Sequence, residues 1–131
     1  MTPEKTRVAL RRMLANGPLT GLPVRRADLE LLLELAALRF DAGKTYTERE
    51  VNDSLRDWLS TFCAPYGIDH VTLRRCLVDA QILRRDRAGS TYRVEPLRLY
   101  AEHAGVDLAQ LLAEATAHRA ARKRAHVTEA S

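Results

Sequence analysis

Aromatic residues are scarce in this 131-residue chain, with Phe, Tyr and Trp together at 5%. A stacking platform for unpaired bases is therefore poorly supplied. Cysteine is limited to Cys63 and Cys76. Two thiols in a chain without a secretion signal make no disulfide framework. A zinc site built from both with His70 and His103 is conceivable. No pair, however, has the C-x2-C or H-x3-H spacing of local ligation, and two ordinary thiols are the better reading. No stretch approaches the ~18 apolar residues of a membrane span. Residues 1–16 read as a basic amphipathic helix without the apolar run of a secretory signal, which points to the cytoplasm. There is no Gly-rich phosphate loop, no His-x-x-x-His, no nucleophile elbow and no carboxylate pair outside helix caps. Neither an enzyme nor a cofactor is expected.

What is present suits one domain with terminal additions: 46% apolar and 29% charged residues. The net charge of +4 is unevenly spread. Residues 1–26 carry six positive and one negative charge, and residues 27–69 carry four positive and nine negative. Residues 70–93 hold six arginines against Asp79 and Asp86, and residues 94–131 balance at five each. Such separation gives one face attractive to polyanions and another that repels them. Arginine outnumbers lysine 18 to three. A biased genome accounts for that ratio but not for six arginines clustered within residues 70–93.

Local chemistry marks the elements. Ala27 to Phe40 has a wide apolar stripe and reads as the first core helix, stopped at Asp41-Ala42-Gly43. Thr47-Glu48-Arg49-Glu50 is a capping box for a second, about Glu48 to Leu59. After a loop with Pro65 and Gly67, Asp69 caps a third, about His70 to Gln81. On it Leu73, Cys76, Leu77 and Ala80 share one face, Thr72, Arg75 and Asp79 lie opposite, and Arg74 is on the flank. Ile82 to Arg85 and Ser90 to Glu95 read as strands, joined by Asp86-Arg87-Ala88-Gly89 with Gly89 at a positive-φ position. Lys44-Thr45-Tyr46 is a short extended piece. Gly17 to Pro23 separates an N-terminal helix from this core. Beyond Pro96 come Leu97 to His103 and a last helix, capped by Asp107, from Leu108 into Arg124.

The fold expected is mainly α with a small β-hairpin, a winged helix-turn-helix core with flanking N- and C-terminal helices. Residues 1–21 form a basic helix and linker, 22–95 the winged-helix domain, and 96–131 a helical extension with a basic tail. The segments Phe40 to Asn52, Asp69 to Asp79 and Leu83 to Tyr92, with Tyr-Thr-Glu-x-Glu-Val-Asn and Leu-Arg-Arg-x-Leu-Val-Asp at their centre, resemble a bacterial family of unknown function. The resemblance covers Leu22 to Val94. It implies a domain that occurs alone or attached to helix-turn-helix transcriptional regulators, and hence a regulator-like role. The stretch before Asp69, with Trp58, Phe62, Pro65 and Tyr66, is long for such a turn and loosens the helix-helix angle.

On this fold the third core helix enters the major groove of double-stranded DNA and the wing lies along the flanking backbone or minor groove. Arg75 and Thr72 face base edges, since arginine spans guanine O6 and N7 with two hydrogen bonds. Arg74, Lys44 and Thr47 suit phosphate. Arg87 is the finger at the turn tip, with Arg84, Arg85 and Arg93 supporting on the strands. Against this stand plainer roles: Arg74 and Arg75 paired with acids of the first two core helices, Arg75 held by Asp79 at i, i+4, Asn52 bonded to backbone across the core, His70 structural or solvent-facing. Arg84 and Arg85, being adjacent on a strand, point to opposite faces. The apolar stripes Val8, Leu10, Met13, Leu14 and Leu108, Leu111, Leu112 either pack together or make a homodimer, which is the expected assembly. The terminal basic helices otherwise extend the phosphate footprint. A non-catalytic protein-docking module on the same fold is the alternative, using the acidic half and the aromatic loop.

Overall fold

The computed structural model describes residues 3–94, 103 and 105–130. Along it run α1 (Pro3–Met13), α2 (Arg26–Ala37), β1 (Tyr46–Thr47), α3 (Glu48–Leu59), α4 (His70–Asp79), β2 (Leu83–Arg85), β3 (Thr91–Val94) and α5 (Leu108–Ala130). The described residues thus make a mainly helical protein of five helices with one small antiparallel sheet.

Two side chains set the starts of the central helices. Thr47 Oγ1 accepts from the Glu50 amide at 3.1 Å while Glu50 Oε1 accepts from the Thr47 amide at 2.9 Å. These reciprocal bonds satisfy amides that have no partner inside the helix. They also hold the Glu50 carboxyl below its ordinary pKa. Asp69 accepts from the Val71 amide at 3.3 Å and opens α4. Burying Val51, Leu55 and Leu59 puts one stripe of α3 inward, and α4 does the same with Leu73 and Leu77. The two helices pack on one another, and α4 also packs on α2. Ala80, read into the buried face, is exposed, because α4 stops at Asp79 and Gln81 turns the chain at φ 62°.

That turn delivers the chain into the sheet, whose strand order is β1-β3-β2. The hairpin of β2 and β3 is present as expected, and Tyr46–Thr47 adds a third strand on its other edge. Tyr46 pairs with Tyr92 and Thr47 with Thr91; Leu83, Arg84 and Arg85 face Val94, Arg93 and Tyr92. Leu83, Tyr92 and Val94 are buried, so this face of the sheet closes the core.

The stretch between α3 and α4 is tightly built rather than loose. Phe62 is fully buried, edge-on to Trp58 with ring centroids 4.7 Å apart. The Leu19 amide donates to the Phe62 carbonyl at 3.1 Å, and the Ala64 amide donates to the Leu19 carbonyl at 2.8 Å. A Cβ at Gly67 would lie 2.8 Å from that same Leu19 oxygen, which accounts for the glycine. Residues 18–20, expected as linker, are therefore stitched to the central unit.

The apolar stripes of the terminal helices are spent inside the chain. Leu10, Leu14, Leu108 and Leu111 are buried where α1 packs on α5, while Val8 is exposed. Met13 and Leu112 of the same stripes are half-buried. Polar links fix this assembly to α2. Arg12 donates to Asp28 at 2.7 Å. The His103 Nε2–H donates to Glu34 Oε2 at 2.8 Å, and His103 Nδ1 lies 3.2 Å from the Thr6 hydroxyl. The expected segment Leu97 to His103 lies, apart from His103, outside the described residues. Among the described residues no helix is long and apolar enough to cross a membrane.

Candidate functional site

Side chains two apart on a strand share a face. With Leu83, Tyr92 and Val94 turned inward, Arg84 and Arg93 point outward, and the register sets them directly opposite each other. Like charges in that position cost a hairpin roughly 0.2–1 kcal/mol. Thr45, one step before β1, joins them: with Arg84, Arg85, Asp86, Thr91, Tyr92 and Arg93 it lines a cavity of about 290 Å³. Arg84 and Arg85, although on adjacent positions, therefore border the same hollow. Thr45 and Thr91 escaped the sequence reading; the alternation Thr45, Thr47 and Thr91, Arg93 was the signal that marks one face.

The turn that carries Arg87 is rigidly organised. Asp86 accepts from the Ser90 amide at 2.8 Å, the Ser90 hydroxyl at 3.0 Å, the Thr91 amide at 3.3 Å and the Thr91 hydroxyl at 2.9 Å. The Thr91 hydroxyl above all, then the backbone amides and Ser90, overcome desolvation and pull the Asp86 carboxyl down to about 2. Asp86 is thus a turn-builder whose charge is already occupied. Gly89 closes the turn at φ 72°, where a side chain would be strained and would collide with the Arg85 guanidinium. Arg87 stands exposed at the tip.

On α4, Thr72, Arg75 and Asp79 form the exposed stripe at i, i+3 and i+7. The Thr72 hydroxyl donates to Asp69 Oδ2 at 3.2 Å and so serves the helix cap. Against the pull of desolvation, the Val71 amide, the Thr72 hydroxyl and His70 lower the Asp69 pKa. The anticipated Arg75–Asp79 pair is not formed. Among the described residues Arg75, Arg87 and Arg93 have no carboxylate partner within ion-pair distance.

Of the two roles open to Arg74, phosphate contact and pairing with an acid of the core helices, its geometry matches the second: the side chain is only 14% exposed and is held on three sides. It donates to Asn52 Oδ1, lies 3.2 Å from Glu48 Oε1, and sits over the Tyr92 ring at 6.0 Å. Tyr92 in turn donates its hydroxyl to Glu48 at 3.3 Å. Arg74 therefore ties α4 to the start of α3 and to β3, and the partner of Asn52 is this guanidinium rather than the backbone expected for it. Thr47 is exposed, its oxygen committed to the α3 cap. Lys44 is exposed but bonded to Asp41 at 3.2 Å, which raises its pKa.

The thiols stay apart from this face. Burial pushes Cys63 up to about 12 and raises Cys76, so both are poor nucleophiles. No group of three or more His, Cys, Asp or Glu among the described residues is placed to hold a metal. His70 stands 3.6 Å from Asp69 Oδ1 and 3.4 Å from the Arg56 guanidinium.

These elements define a small helical protein whose three-stranded sheet turns an arginine-bearing face outward. From the Leu19 stitch to the last residue of β3 it is one unit, and the chain belongs to the family described as "Uncharacterized protein conserved in bacteria (DUF2087)", whose family model matches residues 18–94. No curated protein and no solved structure matches the chain.

Proposed function

We propose that this protein binds double-stranded DNA through a winged helix-turn-helix core and acts as a transcriptional regulator, without catalysis. Support comes first from the element order: helix, short strand, two helices, then a hairpin whose second strand lies at the centre of the sheet. In such a core α4 is the major-groove helix and the hairpin of β2 and β3 is the wing. The observation that carries the reading is the placement of Arg75, Arg87 and Arg93. All three are exposed and without an ion pair among the described residues, while a fourth guanidinium, Arg84, faces Arg93 across the hairpin. Arg75 is assigned to base edges, Arg87 and Arg93 to phosphates, and Arg84 and Arg85 to the rim of the same face. Arg74 is assigned to the fold.

Anisotropy of a labelled random-sequence duplex across a salt series is the test. Four to six phosphate contacts give a log–log slope of roughly −4 to −5. No binding at low salt, or binding indifferent to salt, contradicts the proposal.

One observation favours protein docking instead. Tyr66 is fully exposed in the loop before α4 and adopts a left-handed backbone at φ 63°, which is costly for a bulky residue. A Tyr66→Gly variant separates the readings: duplex binding persists if DNA is the partner, whereas a docking partner loses its aromatic anchor.

A further inference from the structure

The basic end of the last helix, which the DNA reading does not use, borders a cleft. α5 packs on α1 through Leu108 and Leu111, and from Thr116 to Ala125 it is exposed. Where it leaves the body it faces the end of α1, and between them lies a cleft of about 420 Å³. Leu111, Ala15 and Ala115 supply its apolar lining, and Arg11, Arg119 and Arg122 surround it. Glu114 and His118 complete the wall. Three guanidiniums stand against one carboxylate, which leaves the cleft cationic. Arg119 arches over Gly17, its guanidinium nitrogens 3.5 Å from where a Cβ would stand.

A cavity of this size matches sites for small organic molecules, which typically combine an apolar lining with a few polar groups that fix orientation. Arginine forks match carboxylates with two parallel hydrogen bonds. A two-fold dimer through this surface would set the same cationic patch against itself. A duplex backbone needs no apolar hollow. From lining and charge together, we infer that the α1–α5 cleft binds a small amphipathic carboxylate, with the chain or ring on Leu111 and Ala115 and the carboxylate on Arg119 and Arg122.

Calorimetry on the full chain, without DNA, tests this with decanoate, 1-decanol and decyltrimethylammonium at concentrations below micelle formation. The expected result is one decanoate per chain, at least tenfold weaker binding of the other two, and at least tenfold loss of decanoate affinity in Arg119→Gln/Arg122→Gln. Both arginines are exposed, so that variant keeps its circular dichroism. Ala115→Trp fills the cleft and abolishes uptake. Equal binding of decanol, uptake of many equivalents, or unchanged decanoate binding in either variant overturns the inference. It also falls if the double arginine variant leaves decanoate binding intact and instead flattens the salt dependence of duplex binding, for the two arginines would then be phosphate contacts. Because DNA is absent from the titration, its outcome is independent of the duplex reading.

Discussion

Arg74 and Arg75 are neighbours in the chain, yet they belong to two different regions. The inner corner, where α3, α4 and β3 meet, gathers Arg74, Glu48, Asn52 and the Tyr92 ring around one guanidinium. The outer region, formed by the exposed stripe of α4 and the hairpin, leaves Arg75, Arg87 and Arg93 without ion pairs among the described residues and sets Arg84 against Arg93. A buried charge must be matched or the fold suffers. An exposed cluster of like charges brings the fold nothing, and its value lies in what it attracts. Identical side chains thus hold the fold together in one place and, on the reading proposed above, meet DNA in the other.

The contrast can be broken most visibly at Arg74. Arg74→Ala removes the partner of Glu48 and Asn52 and uncovers Tyr92, and we expect a loss of about 2 kcal/mol in urea unfolding. Duplex affinity, measured where the variant is still folded, should stay within about twofold of the parent. Arg75→Ala should do the reverse: stability within about 0.5 kcal/mol, and affinity for a preferred duplex reduced about tenfold, near the low end of what a bidentate arginine–guanine contact contributes. Arg93→Thr is a finer probe. Relieving its opposition to Arg84 should raise stability by about 0.3 kcal/mol while weakening DNA binding.

The smallest effect concerns Asp86, whose carboxyl lies near 2 against an ordinary 3.8. Because the folded value is the lower one, its contribution is present in full above the ordinary value and disappears as pH falls through about 2. Amide exchange at Ser90 and Thr91 should accelerate over that window and not between pH 4 and 7. Asp86→Asn should show fast exchange at all pH values.

Much of the inner region was legible in the sequence because its signals are local. The Thr47–Glu50 box and the Asp69 cap both follow from neighbours a few residues apart. For Arg74 the sequence left phosphate contact and pairing with an acid both open. On a helix its flank position is neutral, and what draws it inward is Glu48, Asn52 and Tyr92 from two other elements. The same holds for the Leu19 stitch across to Phe62 and Ala64, and for the Thr6–His103–Glu34 chain, whose members are 97 and 69 positions apart. On the sheet, the register that sets Thr45 on one face with Arg84 and Arg93 was not legible, since a two-residue strand gives no period to read.

The central proposal, that Arg87 and Arg93 contact phosphate, is tested most directly by the salt dependence of random-duplex binding in Arg87→Gln/Arg93→Gln beside the parent protein. Each phosphate contact removed should flatten the log–log slope by roughly 0.9, so the double variant should lose roughly 2 from the parent slope while unfolding at the same urea concentration. A double variant that binds duplex with the parent's slope would contradict the account.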